Sequence, residues 1–442
     1  MNAHSVANAS LVWKTARQVK SGWFSASCAF PQKPLDLLPQ AHRLGRPYVF
    51  WQSADRRTSL LGVGELTRLR AAGPYRLQAI AEAAQSLSAP VLLGAFSFSG
   101  RGPLAPPFQA FAPADFMVPQ LLFEERDGGV VLRLLGREDA QGPAATDVLE
   151  AMLAAAPADV RRGRLRFADP PGSQAVWSDE VQRATAAIRG GNLEKVVLAR
   201  RSLALSTAPI DVPRVVAALS QREQDCKIFA VHRAGRTFLG ATPEGLVRVS
   251  QGVAEVPCIA GSAPRGNTPD EDRRIGEGLL TSAKNRSEHF FVVRAVESTL
   301  RERGLEPEVA SSSPGLLKLQ SVQHLFTPVR ARLPEGASIF ALAGALHPTP
   351  AMGGTPRELA KAWIADHEPT PRGLFSGGIG FWREDGEGEL DVAIRCGLVR
   401  GRTATLWAGC GIVENSDPDE ELRETVLKFR PMRAALGEAM RA

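Results

Sequence analysis

The sequence predicts an α+β fold in which large antiparallel β-sheets carry helices packed on the outside. Three pairs of apolar-rich runs are each joined by a short turn, which indicates antiparallel hairpins. Helical stretches lie between the hairpins and do not alternate with single strands, so a doubly wound parallel sheet is not expected. The predicted hairpins pair residues 228–232 with 237–240, 246–250 with 253–259, and 390–399 with 403–408.

Helices are predicted over residues 270–303 and 356–366. Residues 155–173 are rich in proline and predict a loop-rich connection between an N-terminal part, roughly residues 1–157, and a catalytic part, roughly residues 174–442. No period of 20–50 residues repeats, which excludes solenoids and propellers. Because hairpin sheets readily recruit strands from both halves of a chain, we expect a single domain over residues 1–442.

The composition excludes several classes of protein. Of 442 residues, 44% are hydrophobic and 23% charged, and no run approaches the ~18 apolar residues that a membrane span needs. The five cysteines are scattered without a C-x-x-C pair, which favours reduced thiols and a cytoplasmic location. The formal charge of +6 comes from basic residues interleaved with acids, so no nucleic-acid surface is predicted. A modest positive field suits a small anionic substrate.

An acidic run near the C terminus is the first candidate site. Ser416 or Asp417 can cap a helix there, and acidic residues stabilise that end of a helix. Glu421 and Glu424 are three residues apart and share one helix face, with Lys428 one turn further on. Two carboxylates on one face can bind a hard cation such as magnesium, although a helix N-terminus alone would also explain the acids.

A second acid, Glu288, lies within residues 282–289. On a helix it would stand four residues from Lys284 and form an ordinary surface ion pair, and the pattern alone favours that interpretation. Glu288 and His289 do not form a zinc motif, because the H-E-x-x-H spacing is absent.

A lysine stands on a predicted strand. Within residues 191–200, Lys195 shares a strand face with Val197 and Ala199. Lysine is rarely buried without a purpose, and an apolar environment would favour the neutral amine, which can act as a general base. An edge strand, from which the lysine reaches water, explains the pattern equally well.

Further polar residues follow strands. Glu244 comes at a strand end and can serve as a general acid at the mouth of a cleft. Gly261 and Ser262 can offer hydrogen-bond donors to a carboxylate, although the segments of all three residues also fit polar turns. Arg395 ends an apolar strand segment, where its guanidinium can grip a carboxylate or form a structural ion pair.

The order and spacing of these motifs resemble the chorismate-utilising enzymes, the family that includes the large subunit of anthranilate synthase. The resemblance implies a chorismate-binding (anthranilate synthase component I-like) fold with antiparallel sheets around a deep cleft. Weaker similarity lies in VFWQS and LLGAFSFSG of the N-terminal half. The main resemblance covers roughly residue 178 to the C terminus and rests on LEKVVLARR, FLGATPE, IAGSAPRG, SAKNRSEH, QHLFTP, HPTPAMGGTP, RGLF, GEGELDVAIR and GCGIVENSDPDEELRETVLK.

The resemblance implies a magnesium-dependent reaction. Magnesium would bridge Glu288, Glu421 and Glu424 to a carboxylate of chorismate, since three glutamates can approach a dianion only with a cation between them. Lys195 would remove a proton from the water that attacks ring carbon C2. Glu244, on the opposite side of the ring, would protonate the departing C4 hydroxyl.

The resemblance also implies which residues contact the substrate. One set would meet its carboxylates and the other would line its ring. The carboxylate contacts would be Arg395, the backbone of Gly409 and Lys428, in addition to the donors at Gly261 and Ser262 described above, and the ring contacts would be His324, Ala351, Met352 and Phe375.

Two positions favour water over ammonia as the nucleophile. Ammonia-using relatives carry glutamine where this chain has Lys195, and aminodeoxychorismate synthases carry a nucleophilic lysine where it has Ala260. The resemblance therefore implies chorismate as the small-molecule substrate and no glutamine amidotransferase subunit. The composition described above predicts neither nucleic acid nor a membrane as partner. Two departures are Gly245, where arginine is common, and Phe375, where tyrosine is frequent.

Ala351 bears on the product. Salicylate synthases typically carry threonine at this position, and alanine resembles the isochorismate synthases, so we expect conversion of chorismate to isochorismate. A salicylate synthase, which goes on to eliminate pyruvate, and a relative that binds chorismate without converting it are the alternatives. The sequence leaves open whether the product feeds menaquinone or siderophore biosynthesis.

Overall fold

Two antiparallel β-sheets carry the fold in the computed structural model, which describes residues 17–20, 22–139, 144–155, 162–170, 172–319 and 322–441. The strands in these ranges are β1 Arg17–Lys20, β2 Trp23–Ala29, β3 Tyr48–Gln52, β4 Thr58–Val63, β5 Thr67–Ala71, β6 Val91–Phe96, β7 Ala114–Val118, β8 Leu121–Arg126, β9 Gly129–Arg137, β10 Leu165–Ala168, β11 Lys195–Ser206, β12 Lys227–Arg233, β13 Arg236–Thr242, β14 Gly245–Ser250, β15 Val253–Pro264, β16 Pro307–Val309, β17 Gly315–Lys318, β18 Val322–Arg332, β19 Gly354–Thr355, β20 Gly378–Arg383, β21 Gly388–Val392, β22 Cys396–Arg400 and β23 Thr403–Ile412.

The helices described are α1 Pro34–Arg43, α2 Arg76–Ser86, α3 Ala145–Ala154, α4 Ser173–Arg189, α5 Val212–Arg222, α6 Pro269–Thr281, α7 Ala283–Glu302, α8 Ile339–Leu346, α9 Arg357–His367 and α10 Pro418–Arg441. None of them is long and apolar enough to cross a membrane.

Strands from both halves of the chain share each sheet. Within the described residues, the large sheet has 13 strands in the order β1-β2-β9-β8-β4-β3-β12-β13-β22-β23-β11-β10, with β19 also pairing β11. The small sheet, counted over the same residues, has 10 strands in the order β16-β18-β15-β14-β21-β20-β6-β7-β5, with β17 also pairing β18. The pairs β3 with β12 and β6 with β20 join the N-terminal half to the C-terminal half. The predicted α+β class with antiparallel sheets is confirmed.

Among the described residues, two large apolar clusters and a smaller third one, which holds Trp177 and Val181 of α4 against Val196 of β11, pack the sheets and helices together. The two large clusters lie in different places. One core contains buried residues of both sheets, such as Phe229 of the large sheet and Phe96 of the small sheet. The other covers one face of the large sheet with helices α1, α3, α5 and α10, which bury Leu37, Leu149 and Leu436 among others. Strands buried on both faces explain why several runs read as continuously apolar.

Three predicted elements differ from the structure. Residues 390–399 are not one strand, because β21 belongs to the small sheet and β22 to the large sheet. Residues 270–303 form two helices, since Ser282 caps α7 by accepting a hydrogen bond from the backbone N–H of Asn285. The connection over residues 155–173 contains strand β10, while residues 156–161 and 171 lie outside the described residues.

Candidate active site

The chain crosses between the two sheets at two neighbouring places. Residues 243–244 lead from β13 to β14 and form the first crossover, and residues 393–395 lead from β21 to β22 and form the second crossover. Thr242 Oγ1 donates to the carbonyl of Val392 at 2.6 Å, and the N–H of Val392 donates to the carbonyl of Glu244 at 3.0 Å. The N–H of Ala241 donates to the carbonyl of Arg395 at 3.2 Å. These bonds place Glu244 and Arg395 side by side at the junction of the sheets.

The second crossover requires an unusual backbone at Arg395. Its φ of 50° lies in the left-handed region, which residues other than glycine rarely adopt. Such a conformation persists where surrounding structure holds it, and it is concentrated at functional sites. The sequence predicted Arg395 at the end of a strand segment. In the structure it lies in the connection between β21 of the small sheet and β22 of the large sheet.

Glu244 has the electrostatics of a proton donor. Its side chain is partly accessible, yet burial by surrounding protein raises its pKa to about 7. The positive charges of Lys428, Arg395 and Lys195 act in the opposite direction and keep the shift moderate. A carboxyl that titrates near neutral pH can hold a proton and still release it.

Lys195 is the first residue of an interior strand. β11 pairs with β23 on one side and with β10 and β19 on the other, so the edge-strand alternative does not apply. The lysine side chain lies across Gly411 of β23, where an added Cβ would stand 2.6 Å from Lys195 Cε. Its Nζ lies 3.6 Å from Glu288 Oε1, and 28% of the side chain is exposed. Lys195 therefore faces an open site, and Glu288 reaches that site from α7.

The predicted acidic face of α10 is present. Asp417 caps the helix by accepting hydrogen bonds of 3.0 Å from the N–H groups of Asp419 and Glu420. Glu424 pairs with Lys428 at 2.6 Å, and Lys428 also donates to the carbonyl of Gly409 at 2.8 Å. The carbonyl of Gly409 thus holds the Lys428 side chain against strand β23 of the large sheet.

The three predicted metal ligands each have another partner in this structure. Glu288 is held by Lys195, Glu424 by Lys428, and Glu421 accepts a hydrogen bond of 2.7 Å from Ser416 Oγ. In the described part of the chain, no three His, Cys, Asp or Glu side chains come together as a metal site. The donors are nevertheless all carboxylates, the type that magnesium prefers, and the side chains of Glu288 and Glu424 are about half exposed. The three carboxylates suit magnesium as ligands, but in this structure they do not lie together as one site.

Gly261 and Ser262 lie in strand β15 and not in a turn. The register with β18 shifts between Ala260 and Ser262, and Gly261 adopts a φ of 73°, which marks a bulge. Ser262 Oγ lies 2.7 Å from His324 Nδ1 on the neighbouring strand. Burial lowers the pKa of His324, so its ring is neutral at physiological pH and can exchange hydrogen bonds with Ser262. The polar-turn interpretation of this segment was wrong.

The predicted ring contacts other than His324 divide into two groups. Met352 and Phe375 are buried in the core shared by the sheets, and Ala351 packs against that core while staying partly exposed. Arg372 donates to the carbonyls of Met352 at 2.8 Å and Val197 at 2.6 Å. Arg372 therefore ties the segment of Met352 to strand β11.

Sequence reasoning gave no role to two residues that contact the segments around Met352 and Gly261. Arg372 forms a buried ion pair with Glu368, which accepts a hydrogen bond of 3.0 Å from the N–H of Ala199. Asn285 packs against the Gly261 bulge, since a Cβ there would lie 3.2 Å from the Asn285 side chain. Arg372 and Asn285 fall within motifs quoted above, but only the contacts reveal what they do.

The fold and the site define a class of enzyme. A junction between two antiparallel sheets holds a carboxyl that titrates near pH 7 beside Lys195, Arg395 and Lys428, which suits acid–base chemistry on a small anion. The sequence profile of the family described as "Chorismate binding enzyme" matches residues 9–437, so the chain belongs to that family.

Similar proteins carry related descriptions. The isochorismate synthase MenF of Bacillus subtilis is 39% identical over 359 residues, which cover 79% of this chain and 75% of that protein. The salicylate biosynthesis isochorismate synthase of Pseudomonas aeruginosa is 36% identical over 422 residues, 92% of this chain and 88% of that protein. The structure of MenF, the menaquinone-specific isochorismate synthase of Escherichia coli, superposes with a TM-score of 0.80 at 24% identity and covers 94% of this chain and 95% of that one. This last likeness shows the fold.

Proposed function

We propose that this chain is an isochorismate synthase, which adds water at ring carbon C2 of chorismate and releases the hydroxyl at C4. The observation that carries the proposal is Glu244, a partly accessible carboxyl at the junction of the sheets whose pKa is raised to about 7 by the surrounding protein. The relatives from B. subtilis and P. aeruginosa are both described as isochorismate synthases. Their similarity over most of the chain supports the same activity here.

Glu244 and Lys195 divide the proton transfers. Glu244, protonated near neutral pH, donates a proton to the C4 hydroxyl, which then leaves as water. Lys195, in its neutral form, removes a proton from the water that attacks C2. Glu244 lies at the first crossover and Lys195 on β11, so the two groups approach the junction from different elements. Separate acid and base positions suit a displacement in which one hydroxyl arrives as another departs.

Arg395 and Lys428 hold the substrate carboxylates in this proposal. Both charges act on Glu244, so both lie close to the same junction. The guanidinium of Arg395 offers a planar pair of donors to a carboxylate, and Lys428 is oriented by its bond to the carbonyl of Gly409. Ser262, hydrogen-bonded to His324, adds a polar group on the small sheet.

We further propose that Glu288, Glu421 and Glu424 hold magnesium when chorismate binds. Magnesium would supply the positive charge that lets these carboxylates lie beside a carboxylate of the substrate. In this structure Lys195 and Lys428 neutralise Glu288 and Glu424 instead. Both amines would then be available to water and to substrate.

We also propose a domain organisation, a cellular location and a pathway for the enzyme. Strands of both halves share the sheets, which supports a single chorismate-binding domain over residues 1–442, with an N-terminal part of roughly 1–157 and a catalytic part of roughly 174–442. We place the enzyme in the cytoplasm without a glutamine amidotransferase subunit. Isochorismate would feed menaquinone or siderophore biosynthesis.

The product tests the proposed function. Incubation with chorismate and magnesium should give isochorismate in reversible equilibrium with chorismate, and little pyruvate, when separated by chromatography near neutral pH. The reason is that Ala351 offers no hydroxyl to assist loss of the enolpyruvyl side chain. Pyruvate in a lactate dehydrogenase assay, formed in equal amount with fluorescent salicylate, would establish a salicylate synthase. Ala351→Thr is the matched variant and should raise the pyruvate yield if this wall controls elimination.

The pH dependence of turnover should report Glu244. Because burial raises its pKa to about 7, the protonated acid is present below that pH and is lost above it. The value of kcat/KM should therefore fall as the pH rises through about 7. A Glu244→Gln variant should lose this alkaline limb along with most of its activity. An unchanged kcat/KM up to pH 9 in the wild type would contradict the assignment of Glu244 as acid.

A further inference from the structure

A cluster of three charged side chains and one tryptophan beside the first crossover has no part in the proposed reaction. Lys227 Nζ contacts the carboxylates of both Asp391 and Glu389, and Trp51 Nε1 donates a hydrogen bond of 2.8 Å to Asp391 Oδ2. Asp391 is fully buried, and Trp51 is 2% exposed. We call these four residues the Lys227 cluster.

Strand register places this cluster at both ends of the first crossover. In the large sheet, Lys227 of β12 is the cross-strand partner of Thr242, which precedes the crossover. In the small sheet, Asp391 of β21 is the partner of Gly245, which follows it. The ion pair between Lys227 and Asp391 therefore joins the two sheets across the segment that carries Glu244.

The cluster packs directly against the backbone of Glu244's neighbours. A Cβ at Gly245 would lie 3.2 Å from Lys227 Nζ and 3.0 Å from Pro257 Cγ. Val392 follows Asp391 in the chain, and its N–H donates to the carbonyl of Glu244 at 3.0 Å. A shift of Lys227 or Asp391 would thus be transmitted to the backbone on either side of the carboxyl.

We propose that Lys227 is a positioning residue for Glu244, because its bridge between the sheets fixes the first crossover and so the direction of the acid. This inference rests on the proposed function, in which Glu244 donates the proton. A buried ion pair is weak as a source of stability, since loss of solvation offsets the attraction. A displacement of about 1 Å, in contrast, can cost a reaction about 100-fold in rate.

Lys227→Met is the first test. The kcat for isochorismate formation should fall about 10-fold to 100-fold, with KM for chorismate little changed, because the substrate carboxylates are held elsewhere. Arg68→Met is the control, since it removes another ion pair to a buried acid, Asp115, between β5 and β7. Both variants are assayed well below their thermal unfolding midpoints, which are measured in parallel.

The second test follows the protonation of Glu244 by infrared spectroscopy, using the carboxyl band that Glu244→Gln removes. The charged groups facing Glu244 are Lys195 of β11, Arg395 of the second crossover and Lys428 of α10. Lys227→Met leaves Asp391 and Glu389 without their shared cation, so the midpoint should move to higher pH. Adding Asp391→Asn should leave both the midpoint and the low kcat of Lys227→Met unchanged. Burial already raises the pKa of Asp391 to about 7 beside Lys227, so without that cation Asp391 is neutral, and the bridge is still missing.

Two results would overturn the positioning role. One is a wild-type kcat in folded Lys227→Met. The other is a loss of kcat no larger than that of Arg68→Met, together with an unmoved infrared midpoint. Failure of the wild type to form isochorismate would instead contradict the proposed function, and the infrared titration would then decide on the Lys227 cluster by itself.

Discussion

Lys195→Ala and Glu244→Ala should each lower the rate of isochorismate formation by about 100-fold to 10,000-fold, the usual contribution of a positioned proton-transfer group. Each variant removes one of the two proton transfers and leaves the other in place. The affinity for chorismate should change far less, because Arg395 and Lys428 hold the carboxylates in the proposed complex. Steady-state kinetics and a direct binding titration would separate the two effects.

The two residues have matched controls on the surface. Lys284→Ala removes an exposed lysine one turn before Glu288, and Glu255→Ala removes an acid whose ion pair with Arg330 is largely exposed. Both controls should keep wild-type turnover. Wild-type turnover in Lys195→Ala would remove Lys195 as the base, and anthranilate formed from added ammonium would contradict the water-using role as a whole.

Removal of magnesium should abolish turnover, and its return should restore it. Glu424→Gln should abolish most of the turnover without unfolding the protein. The side chain is about half exposed, so its replacement opens no cavity. The control is Glu420→Gln, an exposed neighbour on the first turn of α10. Calorimetric titration of magnesium in the presence of chorismate should show tight binding to wild type and to Glu420→Gln, and weak binding to Glu424→Gln.

Full activity in excess chelator would remove magnesium from the reaction. Retained binding of magnesium by a triple variant with glutamine at 288, 421 and 424 would move the metal to other residues. Either outcome leaves the acid–base assignments open to the kinetic tests above. The ion pairs seen for Glu288 and Glu424 predict that magnesium binding competes with Lys195 and Lys428.

The antiparallel α+β class follows from local patterns in the sequence. Short turns such as Ala234–Gly235 and Gln251–Gly252 place a glycine at positive φ between two apolar runs, and the short connection commits those runs to hairpins. The capped start of α10 is local too, because Asp417 satisfies N–H groups two and three residues away. Glu421, Glu424 and Lys428 were placed on one helix by spacing alone, and the structure agrees.

Local patterns in the sequence did not predict the junction between the two sheets at the active site. Nothing in residues 390–399 shows that the chain leaves one sheet for another at Arg395, since an apolar run looks the same whichever sheet it enters. The bulge at Gly261 resembled a turn for a similar reason, because a glycine at positive φ occurs in both. The partner of Glu288 also proved to be Lys195 from a distant strand, where helical spacing favoured Lys284.

The sequence by itself therefore determined the fold class, the helix that carries two of the acids, and the residue types available for catalysis. The tertiary structure decided how they act. Burial at the crossover raises the pKa of Glu244 to about 7, and cations from β11, α10 and the second crossover limit that rise. The Lys227 cluster joins residues more than 150 positions apart, from Lys227 to Asp391. Desolvation and long-range pairing depend on which segments surround a group, and only the folded chain specifies that.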